Sequence, residues 1–226
     1  MRTITKTLYN FGELIEAHKQ GTVKSEAVEQ ARAWMIEGFG SFEWWDCTWE
    51  TWKDALAQIG FTDAEMSFSG FASQGDGASF TCKSVDLDKL KAFMGADIEP
   101  SEVISGTPED FRPWIVYKIK GKTPANSKYS RILSDYVSAS VERTSSHYSH
   151  ENTCRFTVSG PSRCALPYEK LMDSFEKDAE QLRRDICRAI YRDLEEEYNC
   201  QTSDEQLIDS AEANDYTFDA EGRREG

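Results

Sequence analysis

The sequence predicts an α+β protein, in which an antiparallel sheet built from hairpins is packed by N-terminal helices and by a long C-terminal helix. Three observations support this class. Apolar residues recur every three or four positions towards both ends of the chain, which is the helical period. In the middle of the chain apolar and polar residues alternate, which is the strand period. Helix-like and strand-like segments are grouped instead of alternating one by one, and this favours an antiparallel sheet over a doubly wound parallel one.

The N-terminal part is predicted to be helical. Over 11–37 the pattern gives two helices that separate at Gly21, and Ser25 can cap the second of them. A third helix ends at Ile59, and four tryptophans lie in it or just before it, at positions 44, 45, 49 and 52. Because indole rings bury large apolar areas, this stripe is typical of a core rather than of a ligand site.

The central part is predicted to contain a hairpin, a short helix and further strands. Apolar and polar residues alternate over 65–83, on both sides of a glycine-containing turn at 73–77. Residues 86–94 have a helical pattern that ends at Gly95. The segment 96–113 contains three prolines and can hold a short helix at 108–111. Further strands are predicted at 114–119, 131–143 and 154–158, with a polar turn at 121–128 as a hairpin connection.

The C-terminal part is predicted to be helical, with a long helix over 168–198. Its apolar face consists of Leu171, Phe175, Leu182, Ile186, Ile190 and Leu194. A shorter helix follows, for which Ser203 is the N-cap. We expect a short edge strand at 216–218 and a frayed tail at 222–226. The chain is interpreted as a single domain over 1–226, with a boundary within 96–112 as the alternative.

The charge is strongly segregated along the chain. The formal net charge is −14, from 26 basic and 40 acidic residues. Residues 1–111 and 164–226 each carry a net charge of −10, whereas 112–163 carries +6. The bulk charge argues against a protein held to DNA by a general positive surface. No apolar run approaches the roughly 18 residues of a membrane span, and the first six residues lack the apolar region of a secretory signal. We therefore expect a cytoplasmic protein with no membrane partner.

An acidic run is the first candidate binding surface. Residues 193–222 contain eleven carboxylates and neither lysine nor arginine. Carboxylates along a helix can occupy a groove built for phosphates, whereas the alternative is a solvated acidic helix and tail. The candidate partner-binding residues are Asp193, Glu195, Glu196, Glu197, Asp204, Glu205, Asp209 and Glu212.

The basic middle segment is the second candidate surface. It interleaves aromatic residues with Lys118, Lys120, Lys122, Lys128 and Arg131. Aromatic and basic side chains on a strand are typical of single-strand nucleic-acid binders. An edge strand guarded by lysines against aggregation would have the same composition, and this alternative stays open.

Two loops contain further candidate residues. His147, His150 and Cys154 are residue types that bind zinc, although a polar hairpin loop has the same composition and no fourth ligand is identifiable. In the turn at 73–77 the candidates are Gln74 and Asp76, but the turn lacks the sequence of a phosphate-binding loop. The cysteines are expected to be reduced thiols. No cofactor is predicted.

Four segments resemble a family of uncharacterised accessory proteins of tailed phages and prophages, whose members are sometimes labelled antitoxin-like. They are Y-N-F-G-E-L at 9–14, E-W-W-D at 43–46, F-S-G-F-A-S-Q-G-D-G-A-S-F at 68–80, and residues 202–218. The most specific piece is S-Q-G-D-G-A-S-F. The resemblance runs from about residue 7 to 224, and the chain departs from it at 20–24, where relatives continue a helix. The resemblance implies a phage accessory protein that acts inside a bacterial cell, and it carries over no catalytic residue.

These observations favour a non-catalytic binding protein. We expect it to inhibit a host defence or nucleic-acid-processing machine, in the manner of an anti-CRISPR, through an acidic surface that mimics nucleic acid. Its partner would be a host protein or a nucleoprotein complex. The alternative is a nucleic-acid-binding regulator, antitoxin-like or antitermination-like, that uses 112–163. A zinc-dependent enzyme centred on His147, His150 and Cys154 is the third interpretation.

Overall fold

The structure is a computed structural model that describes residues 6–39, 43–102, 109–160 and 166–225. Within these residues seven α-helices accompany three two-stranded antiparallel sheets, which confirms the α+β class. The helices are α1 (Phe11–Lys19), α2 (Ser25–Phe39), α3 (Asp46–Gln58), α4 (Leu87–Gly95), α5 (Arg112–Lys118), α6 (Leu166–Gln201) and α7 (Asp204–Ala213). The strands are β1 (Glu65–Ser69), β2 (Gly77–Thr81), β3 (Ser138–Arg143), β4 (Cys154–Ser159), β5 (Thr217–Phe218) and β6 (Arg224–Glu225).

The chain divides into two compact units. Unit 1 consists of Met1–Asp46 and Glu196–Gly226, and unit 2 consists of Cys47–Glu195. Unit 1 is therefore made from both ends of the chain, whereas unit 2 is continuous. The segment 96–112, considered above as a boundary, belongs to unit 2.

Unit 1 packs α1, α2 and α7 around one apolar cluster. Phe11, Leu14, Leu207 and Phe218 are each fully buried in this cluster. The side chain of Asn10 accepts a hydrogen bond from the Glu13 N–H, while the Glu13 carboxylate accepts one from the Asn10 N–H. This capping box satisfies backbone donors that the first turn of α1 would leave without partners.

The C-terminal tail is ordered, so the expectation of a frayed tail at 222–226 is wrong for residues 222–225. Strand β6 pairs with β5 in antiparallel register. The guanidinium of Arg224 lies over two rings, 4.7 Å from the Trp34 centroid and 4.9 Å from the Tyr216 centroid. Aromatic faces attract cations, so this contact holds the strand in place. Gly226 lies outside the described residues.

Unit 2 contains two hairpins and most of α6, which packs against them. The β1–β2 and β3–β4 hairpins are joined where Cys82 and Val141 exchange two backbone hydrogen bonds of 3.0 and 2.8 Å. The predicted apolar face of α6 is confirmed, since Phe175, Ile186, Ile190 and Leu194 are fully buried. Of the tryptophan stripe only Trp52 is fully buried, whereas the indoles at 44, 45 and 49 are half-buried.

One predicted strand is wrong and another is too long. Residues 114–119 fall mainly in α5, whose first turn accommodates Pro113 because a proline there loses no helical hydrogen bond. The 131–143 segment is a strand only over β3, and Ser127–Arg131 and Ser134–Tyr136 are short 3-10 helices instead. The turn at 121–128 therefore connects a helix to a 3-10 helix and is not a hairpin turn. In the predicted short helix at 108–111, Pro108 lies outside the described residues, and 109–111 are not helical.

The 3-10 helices are held by contacts that a strand would lack. The Lys91 ammonium donates to the Ile132 carbonyl at 2.8 Å and to the Ser134 hydroxyl at 2.6 Å. Leu133, which lies between the two 3-10 helices, is 58% exposed.

Two glycines of the S-Q-G-D-G-A-S-F segment should differ in their tolerance of alanine. A Cβ at Gly77 would lie 2.5 Å from the Cβ and 2.8 Å from the Cα of His150, so backbone would have to shift. The three atoms nearest to a Cβ at Gly75 all belong to the ring of Tyr148, the closest at 2.7 Å, and that exposed ring can rotate away. We expect Gly77→Ala to lower the free energy of unfolding by about 1–3 kcal/mol and Gly75→Ala by clearly less, as measured by chemical denaturation. Equal losses would contradict this.

Candidate functional site

The eight candidate carboxylates are divided between the two units. Asp193 and Glu195 belong to unit 2, and the other six belong to unit 1. Their surroundings differ as well, so the acidic run of the sequence is not one uniform surface.

Asp193 is an internal residue of unit 2. Its carboxylate accepts a hydrogen bond from the Trp52 indole N–H at 3.0 Å and an ion-paired hydrogen bond from the Lys118 ammonium at 2.7 Å. Only 14% of its side chain is exposed. The same Lys118 lies 5.4 Å from the centroid of the Trp114 ring, and Trp114 packs against Trp52. Asp193 is thus part of the packing between α3, α5 and α6.

Glu195 and Glu197 are half-buried, whereas Glu196 is exposed. Burial raises the pKa of the Tyr191 hydroxyl, and the nearby carboxylates of Glu195 and Asp76 raise it further. Glu195 therefore lies close to the Tyr191 side chain. Glu197 accepts a hydrogen bond from the Gln201 amide at 2.8 Å, one turn further along α6.

Helix α7 presents the clearest acidic surface. Ser203 caps its N-terminus through a bond from the Gln206 N–H, and Leu207 and Ala211 are buried on its inner side. Glu205, Asp209 and Glu212 are exposed, and we call these three residues the acidic face. No ion pair involves them within the described ranges. The fourth predicted carboxylate of this helix, Asp204, is exposed but ion-paired with Arg32 on α2.

The basic candidates also separate into two groups. Lys118 is half-buried, with 24% of its side chain exposed, and its ammonium is bonded to Asp193. Lys120, Lys122, Lys128 and Arg131 are exposed. The aromatic residues of this segment do not share one face with them, because Trp114 and Tyr129 are buried, whereas Tyr117 and Tyr136 are exposed.

The proposed zinc ligands are not brought together. His147 is exposed, whereas Cys154, the first residue of β4, is 2% exposed. Within the part of the chain that the structure describes, no three histidine, cysteine or carboxylate side chains are grouped as metal ligands. The Nδ1 of His150 instead accepts a hydrogen bond from the Asn152 N–H at 3.1 Å, which shapes the loop.

A buried arginine beneath this loop was not found from the sequence. Arg183 on α6 is fully buried, donates to both Glu180 oxygens at 2.9 and 2.8 Å, and donates to the Glu151 carbonyl at 2.6 Å. Its neighbour Cys187 is fully buried too, and burial raises the pKa of that thiol to about 12. The thiol is therefore protonated and unreactive at neutral pH.

The loop candidates lie at the end of the first hairpin. Asp76 accepts hydrogen bonds from the N–H groups of Ala72 and Ser73 at 2.8 and 2.6 Å, so its carboxylate shapes the turn. Gln74 is exposed at the tip of the turn. None of the helices in the described ranges is both long and apolar enough to span a membrane.

No curated protein and no solved structure matches the chain. The resemblance to tailed-phage proteins therefore stays a prediction. Residues 44–204 match a family described as a domain of unknown function, DUF8835. Because this segment is well over half of the chain, the protein belongs to the DUF8835 family.

Proposed function

We propose that this chain is a phage-encoded, non-catalytic binding protein that acts in the bacterial cytoplasm and inhibits a host machine that handles nucleic acid. The observation that carries the proposal is the acidic face of α7, where three carboxylates are exposed to solvent. A partner groove that attracts phosphates would attract these carboxylates by the same electrostatics.

The charge balance of unit 1 supports this function. Residues 1–46 and 196–226 contain 7 basic and 17 acidic side chains, a net charge of −10. The remaining 149 residues contain 19 basic and 23 acidic side chains, a net charge of only −4. Several cations of unit 1 are engaged internally: Lys6 pairs with Asp219 and Glu225, and Lys19 with Glu16. Unit 1 therefore presents an excess of carboxylates to a partner.

Charge reversal tests the proposal. We expect the triple variant Glu205→Lys, Asp209→Lys, Glu212→Lys to capture at least tenfold less host protein from bacterial lysate, a loss of about 1.4 kcal/mol of binding free energy. The loss should be largest at low salt, where exposed charges are least screened. We also expect added duplex DNA to displace the unmodified chain from the captured host protein, since the DNA and the acidic face would occupy the same groove of that protein.

A matched control changes the same charge elsewhere. Glu65, Asp97 and Glu99 are exposed carboxylates of unit 2, and their triple replacement by lysine should leave capture unchanged. Equal loss in both triple variants, or capture that is independent of salt and of DNA, would reject nucleic-acid mimicry.

Nucleic-acid binding by unit 2 is a second candidate function, favoured by the exposure of Lys120, Lys122, Lys128 and Arg131. We expect a fluorescent single-stranded oligonucleotide to bind at low salt and to be released by added salt. Replacing the three lysines by alanine should reduce the slope of log affinity against log salt by about 2, at roughly 0.7 per phosphate contact. Lys118 is left unchanged, because its loss would disturb folding. Absence of binding at low salt would eliminate this function.

A further inference from the structure

The loops at the ends of the two hairpins of unit 2 lie against each other. They are residues 70–76, between β1 and β2, and residues 144–153, between β3 and β4; we call them the paired loops. The ring of Tyr148 covers Gly75, and the Cβ of His150 covers Gly77. The Ser149 N–H donates to the Ser69 hydroxyl at 3.4 Å, across the two hairpins.

Arg143 adds two further contacts at the same place. Its guanidinium donates to the Tyr148 carbonyl at 3.3 Å and to the hydroxyl of Ser67. The paired loops are therefore fixed relative to each other by backbone and side-chain bonds. A loop held by a rigid scaffold in this way can present side chains for recognition at little cost in conformational entropy.

Almost every residue of S-Q-G-D-G-A-S-F has a structural role in this arrangement. The two glycines leave space for the side chains of Tyr148 and His150, which a Cβ atom would fill, and Asp76 accepts hydrogen bonds from the backbone of its own turn. Ala78, Ser79 and Phe80 are buried at 2%, 0% and 0% exposure. Gln74 differs, because it is exposed and makes no hydrogen bond among the described residues. The fold therefore gives the side-chain amide of Gln74 no structural role.

The surface around Gln74 has the composition of a protein-recognition surface. Tyr148 is 52% exposed, and His147 beside it is exposed, with a ring-centroid separation of 6.2 Å. The loop over 144–153 reads T-S-S-H-Y-S-H-E-N-T. Tyrosine supplies a large rigid contact area with few rotatable bonds, while serine and asparagine supply adaptable hydrogen bonds, as in antibody loops.

The two carboxylates of the paired loops are bound within the chain, Asp76 by N–H groups of its own turn and Glu151 by Arg188 at 3.3 Å. Neither loop contains a lysine or an arginine, and the adjoining Arg143 of β3 donates to the Tyr148 carbonyl and the Ser67 hydroxyl. The tip thus offers neutral hydrogen-bonding groups and an aromatic ring. A neutral protein surface complements it, whereas a nucleic-acid backbone does not.

We propose that the paired loops are a second interaction surface, through which Gln74 and Tyr148 bind a neutral, hydrogen-bonding surface of a protein partner. This contact goes beyond the charge-driven contact of the acidic face and does not depend on it. Exposed tyrosines that become buried are frequent energetic centres of protein interfaces.

Site-specific photocrosslinking tests the inference. The chain is produced in bacterial cells with Gln74→p-benzoylphenylalanine and irradiated, and a protein adduct is expected at this position. The control carries the same photoreactive residue at the exposed Glu99 of unit 2 and should give no such adduct. Adding Tyr148→Ala to the position-74 probe should reduce the adduct about tenfold or more, as expected for an interface centre. Thermal unfolding of each variant, alongside Gln74→Ala, separates loss of contact from loss of fold.

Each other outcome has a definite meaning. An adduct removed by nuclease would show nucleic acid at the tip, and an adduct of twice the chain mass would show a second copy of the chain; either would overturn the proposal. Equal adducts at positions 74 and 99 would overturn it as well. The position-74 adduct should persist in the acidic-face triple variant. If the adduct disappears in that variant, the paired loops do not bind independently of the acidic face. This conclusion holds even if the acidic face itself captures a partner.

Discussion

Replacing Asp193 by alanine is expected to destabilise unit 2 by about 3–5 kcal/mol, the usual cost of removing one partner from a largely buried ion pair. The change would leave the Lys118 ammonium without its carboxylate and the Trp52 indole N–H without its acceptor. Fluorescence-detected denaturation is suitable, because Trp52 itself lies at the site. No such loss is expected for Glu99→Ala, an exposed carboxylate of the same unit.

A conservative series separates charge from packing at this position. Asp193→Asn keeps an oxygen acceptor and removes the charge, so it should lie between the original chain and Asp193→Ala in stability. Similar stabilities for Asp193→Ala and Glu99→Ala would show that the ion pair between Asp193 and Lys118 does not stabilise the fold. The expectation also bears on binding experiments, because a charge-reversal set that included Asp193 would report unfolding instead of lost contact.

Arg183→Met is expected to cost a similar amount, about 3–5 kcal/mol, because it leaves Glu180 buried without its main partner. The neighbouring Arg184 provides a matched control. Arg184 donates to one of the two Glu180 oxygens that Arg183 also bonds, at 2.8 Å, but the Arg184 side chain is 40% exposed. Arg184→Met should therefore cost less than about 1 kcal/mol. Equal losses in the two variants would contradict the structural role assigned to the buried arginine.

Glu180 should also make stability depend on pH. Burial alone would raise the pKa of Glu180, but hydrogen bonds from Arg183 and from the Phe156 N–H hold that pKa below its ordinary value of 4.5. A carboxyl group whose pKa is lowered in the folded state stabilises the protein at pH values above its ordinary pKa. This stabilisation is lost as the pH falls below the ordinary pKa. Denaturation between pH 7 and pH 3 should show a smaller acid-induced loss for Glu180→Gln than for the original chain.

Helix α6 and helix α5 show what the pattern of apolar residues can and cannot predict. The face of α6 repeats over many turns, so its helical period is unambiguous. In α5 the residues Trp114, Ile115 and Val116 are consecutive, β-branched or aromatic, and all buried. Such a short run also fits a buried strand, so the pattern alone does not distinguish the two structures.

The candidate site was predictable only where side chains act locally. The acidic face follows from spacing within α7. In contrast, Asp193 is separated by 141 residues from Trp52 and by 75 from Lys118, so no local pattern identifies its partners. Arg183 did leave a local signal, since it lies four residues from Ala179 and from Cys187, both fully buried on one face of α6.

The composition of unit 1 from two distant segments has a consequence for synthesis. A ribosome finishes residues 1–46 before it makes any of unit 2, and it reaches α7 only after the 149 residues of unit 2. At about 5–20 residues per second that interval is roughly 7–30 s. During it, Phe11 and Leu14 lack Leu207 and Phe218, which complete their cluster. The nascent N-terminal helices are therefore open to chaperones and proteases, and the acidic face can appear only on chains that already contain all of unit 2.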